Sequence, residues 1–169
     1  MTFERAMVIL FTKAAQTVIA ERFTHTFFDN DGNRVRKVFA YLFSVFIAIF
    51  VNLFFHKPIF NFLSIFLGLS AIALSYNGTI KRKCMFVFYI LAVSCLIDLV
   101  VSAFLIKPFG YDGYSAFVSI FALLLLHAAQ LITERFFGND LGIELNNRYW
   151  LFIIASLLVC IITSIVIFM

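Results

Sequence analysis

The sequence predicts an all-α, polytopic transmembrane helical bundle of about six spans with its N-terminus outside, and three observations carry that prediction. Apolar residues make up 63% of the chain and charged ones 13%, against about 45–50% and about 25% in soluble domains. The mean hydropathy of +1.03 signals more apolar surface than a soluble chain hides from water. The charges gather in short clusters between long apolar runs, and Lys81-Arg82-Lys83 leads directly into one such run over 84–106. About 20 helical residues cross the roughly 30 Å hydrocarbon core, so this run is long enough to span it. It contains one acid, Asp98, and an ionisable group at that depth marks a partner or a function.

The same composition excludes several classes. The net charge of +4 is distributed over connections between runs, as in cytoplasmic loops, and not on a nucleic-acid-binding face. Cys84, Cys95 and Cys160 lie in or beside apolar runs with no CxxC pair, so they read as small packing residues rather than a disulfide framework. The N-terminus has Glu4 beside Arg5, Lys13 in mid-run and no small-residue cleavage site, which does not fit a signal peptide. The 24 phenylalanines suit lipid-facing surface.

The first run, 3–23, is the weakest. Lys13, Gln16, Thr17, Ala20 and Thr24 recur at helical spacing, which allows a spanning helix with a polar stripe or an amphipathic surface helix. Residues 28–37, with Asp29-Asn30-Asp31-Gly32-Asn33, read as a turn. The closing acids of a calcium loop are missing there. A second span follows over 38–55, and His56-Lys57-Pro58 breaks it, with Pro58 suited to the first turn of the next helix. The third span is 59–75, where Gly68, Ala71 and Ala73 permit close helix packing. The fourth is 84–106. Residues 107–113 read as a turn with interfacial aromatics, and the fifth and sixth spans are 115–132 and 149–169. All six form one transmembrane domain over 1–169.

Basic residues orient the chain. Arg22, Arg34, Arg36, Lys37, Lys81, Arg82, Lys83, Arg135 and Arg148 follow the first, third and fifth runs, against Arg5, Lys57 and Lys107 on the other side. Those first three odd connections are therefore expected in the cytoplasm. An internal repeat supports the count of spans: Ala14-Ala15-Gln16, Ile19 and Glu21-Arg22-Phe23 recur as Ala128-Ala129-Gln130, Ile132 and Glu134-Arg135-Phe136, with a one-residue slip. Four spans separate the copies, so the repeat is parallel. It makes the first run a span like the fifth and aligns Lys13 with His127.

Tyr76-Asn77-Gly78, Lys81-Arg82-Lys83, Asp98, the span beginning at Ser115 and the Trp150-led final run resemble the membrane sensor region of GHKL-type, AgrC-like sensor histidine kinases. That family has a Tyr near the inner end of its third span, a basic turn, and an acid, usually Glu, in its fourth. The resemblance implies a multi-pass protein of a bacterial plasma membrane that senses a small extracellular peptide, as in quorum sensing, and passes the signal to a dimeric cytoplasmic kinase. The kinase motifs and the family's last span do not follow in this chain, and it stops at Met169 within an apolar run. The resemblance thus implies a sensor cut off before its output module.

Candidate chemistry centres on Asp98. Ser94 and Ser102 lie four residues either side of it, on one helical face. At about 1.5 Å per residue it sits about 12 Å below the outer edge of its span, with Lys13 and His127 about 18 Å deep. An unpaired charge in lipid costs at least about 2.5–3.5 kcal/mol, so Asp98 is expected to pair with Lys13 or His127. No catalytic or metal-binding constellation and no cofactor motif is read. His25, His56 and His127 belong to different segments, and Cys84 lacks the adjacent histidine that thiolate catalysis needs. The rival function is a small transporter or scaffold subunit in which Asp98 carries protons or ions.

Overall fold

The computed structural model describes residues 3–28, 33–55, 58–110 and 115–137, together with Ile154, Ala155 and Leu158. Among these the chain is all-helical. The helices are α1 (Phe3–Phe27), α2 (Arg34–Phe54), α3 (Pro58–Ser75), α4 (Ile80–Phe109, with a π-helical segment over Ser102–Ile106) and α5 (Ala116–Phe137). The sixth apolar run, 149–169, lies outside the described residues except at those three positions. Three stretches are long and apolar enough to cross a membrane: Arg34–Asn52, Ile80–Phe109 and Ala116–Arg135. Phe60–Ser75 is apolar but shorter.

Several helices begin earlier than the apolar runs suggest, because caps rather than hydropathy set their ends. Asn33 accepts the Val35 N–H on its side-chain oxygen at 3.0 Å, so Arg34, Arg36 and Lys37 belong to α2 and not to the preceding turn. Thr79 caps α4 in the same way: its Oγ1 receives the Arg82 N–H at 3.4 Å, and its carbonyl receives that of Lys83 at 3.1 Å. Ser115 does so for α5, accepting the Val118 N–H at 3.3 Å. Each cap satisfies a donor that the first helical turn leaves without a partner.

α4 also runs past its expected end at Ile106. Pro108 has no N–H, and its ring crowds the carbonyl four residues back. The ladder widens accordingly, and the Lys107 N–H bonds the Ser102 carbonyl five residues earlier. Gly110, at φ 65° and ψ 22°, then takes the left-handed conformation that stops the helix. The 30 residues of Ile80–Phe109 measure about 45 Å, at about 1.5 Å each. That matches a bilayer of about 40–45 Å with its headgroups included.

The chain divides into two compact units, Met1–Val87 and Phe88–Met169. The first holds α1, α2, α3 and the opening turns of α4. Its largest fully buried side chains are Phe23, Phe28, Phe86 and Ile72. Phe28 stacks on Tyr76 at 5.4 Å and meets Phe86 edge-on at 5.3 Å, while Phe27 meets Phe86 at 5.7 Å. Such pairs add about 0.5–1.5 kcal/mol beyond burial. Along α2, by contrast, Val35, Val38, Phe39, Leu42, Phe43, Phe46, Phe50 and Phe54 are all exposed. A soluble monomer does not present such a face; hydrocarbon tolerates it. In the second unit Ile90, Leu91 and Val101 on α4 and Val118 and Leu126 on α5 are buried.

α2 and α3 pack closely at Gly68, where a Cβ would overlap the Ser44 hydroxyl and stand 3.1 Å from Ser44 Cβ and 3.3 Å from its Cα. Gly68→Val is expected to lower stability by about 1–3 kcal/mol through overpacking. Unfolding of the purified chain in detergent measures this, and adding Ser44→Ala should recover part of the loss.

Candidate functional site

The most connected polar site in the first unit is a cluster of three hydroxyls. Thr24 sits on the last turn of α1, Tyr41 on the second turn of α2, and Tyr76 directly after α3. Thr24 and Tyr76 are buried and Tyr41 half-buried. Thr24 Oγ1 lies 3.0 Å from the Tyr76 hydroxyl and 3.1 Å from that of Tyr41, and the two tyrosine oxygens are 3.1 Å apart. The Glu21 carbonyl is 2.6 Å from the Thr24 oxygen.

Proton counting limits what this cluster can do. Each hydroxyl has one proton to give and two lone pairs to receive with. A closed ring, with Thr24 donating to Tyr76, Tyr76 to Tyr41 and Tyr41 to Thr24, uses all three protons. If Thr24 donates to the Glu21 carbonyl instead, the ring opens on one edge. The cluster thus has two hydrogen-bond arrangements, and the choice depends on the spacing of three helices. Bonds in such a closed network reinforce one another in a low-dielectric setting.

Two further groups hold Tyr76. Phe28 stacks on its ring, and the Lys37 ammonium stands 4.3 Å from the ring centroid. Lys37 is itself buried. Its attraction to the ring is worth about 0.5–2 kcal/mol, more as water is excluded. The basic residue that the sequence assigns to topology therefore also supports the hydroxyl cluster. Arg34, Arg36 and Lys81 are exposed, and Arg82 and Lys83 half-buried.

The second unit holds polar groups of its own. Thr133 gives its proton to the Ala129 carbonyl at 2.7 Å, so Tyr89, 2.7 Å from the Thr133 oxygen, is the donor of that pair. Gln130 is fully buried, and neither its amide nitrogen nor its oxygen has a hydrogen-bond partner. Each buried polar atom left so costs about 1–3 kcal/mol. Gln16, which the sequence aligns with Gln130 in the expected repeat, accepts the Lys13 ammonium on its amide oxygen at 3.2 Å.

The expected polar centre is distributed over both units. Lys13 is half-buried on α1 in the first; Ser94, Asp98, Ser102 and His127 are in the second. On α4, Ser94 is half-buried, Asp98 exposed and Ser102 buried. A step of four residues turns a helix by about 40° beyond a full turn, so the three spread over about 80° of one face. His127 is half-buried on α5. Among the described residues no group of His, Cys, Asp and Glu is placed to hold a metal ion.

Sequence reasoning reached Tyr76 as a landmark, Thr24 as the end of a polar stripe and Gln130 as a member of the repeat, but not Tyr41. A tyrosine inside an apolar run is the signal that was there to use, because its hydroxyl needs a partner away from water.

Thr24→Val and Tyr76→Phe are each expected to cost about 1–2 kcal/mol. The double variant should cost less than the sum, since either change already opens the ring. Unfolding of the four variants of this cycle provides the measurement. The chain matches no protein-family model, no curated protein and no solved structure, so the site's meaning rests on its own geometry.

Proposed function

We propose that this chain is the signal-input region of a two-component, GHKL-type sensor histidine kinase in a bacterial plasma membrane, responding to a small extracellular peptide. In this reading six spans cross the bilayer with the N-terminus outside, and the first and last two spans form a parallel repeat. The basic connections face the cytoplasm, where a dimeric kinase receives the signal.

The observation that supports this best is the Thr24–Tyr41–Tyr76 cluster, which joins the ends of α1, α2 and α3 beside the basic first turns of α2 and α4. Hydroxyl bonds near 3 Å weaken steeply with displacement, so a helix shift of well under a turn changes the arrangement. A ligand acts on such an element only through different affinity for its two states. Asp98, with Lys13 or His127, is the proposed polar centre at which a ligand-driven shift begins. A second reading, a small transporter or scaffold subunit, draws on the unpartnered amide of Gln130, a group suited to a polar path.

Two measurements test the proposal. Cys84 is an exposed thiol at the start of α4, and a membrane-impermeant maleimide should label it only after the cytoplasmic face is opened. Labelling in intact cells would reverse the orientation. In a receptor carrying its kinase module, Asp98→Ala should lower ligand-dependent output about tenfold, a typical coupling. The reversed pair, Asp98→Lys with Lys13→Asp, should restore it. Wild-type output from Asp98→Ala would remove Asp98 from the mechanism, and an open reading frame that stops at Met169 would favour the transporter or scaffold.

A further inference from the structure

The first turns of α2 and α4 bring an unusual amount of positive charge to one end of the first unit. α2 opens Arg34-Val35-Arg36-Lys37 and α4 opens Ile80-Lys81-Arg82-Lys83, and neither first turn contains an acid. Both surround one ring system. Lys37 stands over Tyr76, Tyr76 stacks on Phe28, and Phe28 packs on Phe86, one turn beyond Lys83. Arg22 lies on α1 two residues before Thr24, at the same end. The sequence around these turns supplies seven bases, Arg22, Arg34, Arg36, Lys37, Lys81, Arg82 and Lys83, against three acids, Glu21, Asp29 and Asp31.

This arrangement opposes the usual electrostatics of helices. The N-terminal end of a helix carries partial positive charge and favours acids, yet here two helices place cations there. Around these turns bases outnumber acids seven to three, and that local excess of positive charge attracts an anion from outside. The depth is informative as well. With the apolar centre of α4 in the hydrocarbon, a helix about 45 Å long puts its first turn at the level of lipid phosphates. Arginine offers a planar fork matched to phosphate oxygens, and lysine a compact charge.

We propose that this end of the unit is a binding site for the phosphate of anionic lipid headgroups, formed by Arg34 and Arg36 on α2 and Lys81, Arg82 and Lys83 on α4. It requires only that the chain lies in a membrane and is independent of the sensor reading. A zwitterionic headgroup carries its own cation into the positive field and binds less well. An anionic one gains from every base, and it also settles the turn that carries Lys37, which stands over Tyr76, and the turn that leads to Phe86, which packs on the Phe28 ring stacked on Tyr76. Occupancy of the site therefore strengthens the hydroxyl cluster beneath it.

The full chain in neutral detergent, titrated with short-chain phosphatidylglycerol, tests this by native mass spectrometry and by thermal unfolding. Phosphatidylglycerol should bind saturably and raise the unfolding temperature, with short-chain phosphatidylcholine and inorganic phosphate far weaker. Near an anionic surface each base is worth about fivefold in affinity, so Lys81→Gln with Arg82→Gln and Lys83→Gln should weaken binding on the order of a hundredfold. Arg34→Gln with Arg36→Gln, on a different helix, should weaken it about twentyfold and guards against misfolding of the first variant. Lys107→Gln, outside the site, should leave it unchanged. Equal binding of phosphatidylglycerol and phosphatidylcholine would overturn the proposal, as would unchanged binding by both variants. Saturation by phosphate as tight as by the lipid would overturn the lipid as its source.

Discussion

A hydroxyl held away from water has to find its partner inside the protein, and in the first unit that requirement ties three helices together. Thr24, Tyr41 and Tyr76 come from α1, α2 and the end of α3, and each completes the others. Removing any one leaves two oxygens short of a bond, which is why the cluster constrains spacing more tightly than the apolar contacts around it. Phenylalanine rings tolerate sliding by fractions of an ångström. A ring of hydrogen bonds does not. The aromatic stack of Phe28, Tyr76 and Phe86 supplies cohesion here, and the hydroxyls supply register.

α4 illustrates how one element serves two purposes. Its first turn is cationic and capped by Thr79, its middle is apolar, and its end is reshaped by Pro108 into a π-helical segment before Gly110 stops it. Widening the ladder at Ser102 keeps the Lys107 N–H satisfied where an ordinary helix would crowd the proline ring. The result is a helix of bilayer length with charge at one end and a proline turn at the other. The exposed aromatic face of α2 fits the same setting, because lipid accepts side chains that water would not.

The polar groups within the apolar helices are not alike. Thr133 and Tyr89 satisfy each other, and Lys13 satisfies Gln16. Gln130 keeps a buried amide without a hydrogen-bond partner, at a cost of about 1–3 kcal/mol for each atom. Asp98 lies on the exposed side of α4.

Composition and the length of the apolar runs predicted helices suited to a membrane, because about 20 apolar residues in sequence is what a helix needs to cross one. Hydropathy located the runs because burial in lipid is a property of segments. It misjudged their ends at Arg34, Ile80 and Phe109, where caps and a proline decide and no apolar signal exists. The site was legible only in fragments. Tyr76 and Thr24 stood out as polar landmarks, whereas Lys37 stood out only as a topology marker and Tyr41 not at all. Only tertiary structure could join them, because hydrogen bonds and a cation over a ring link residues far apart in sequence, at distances set by how helices pack and not by the pattern along any one of them.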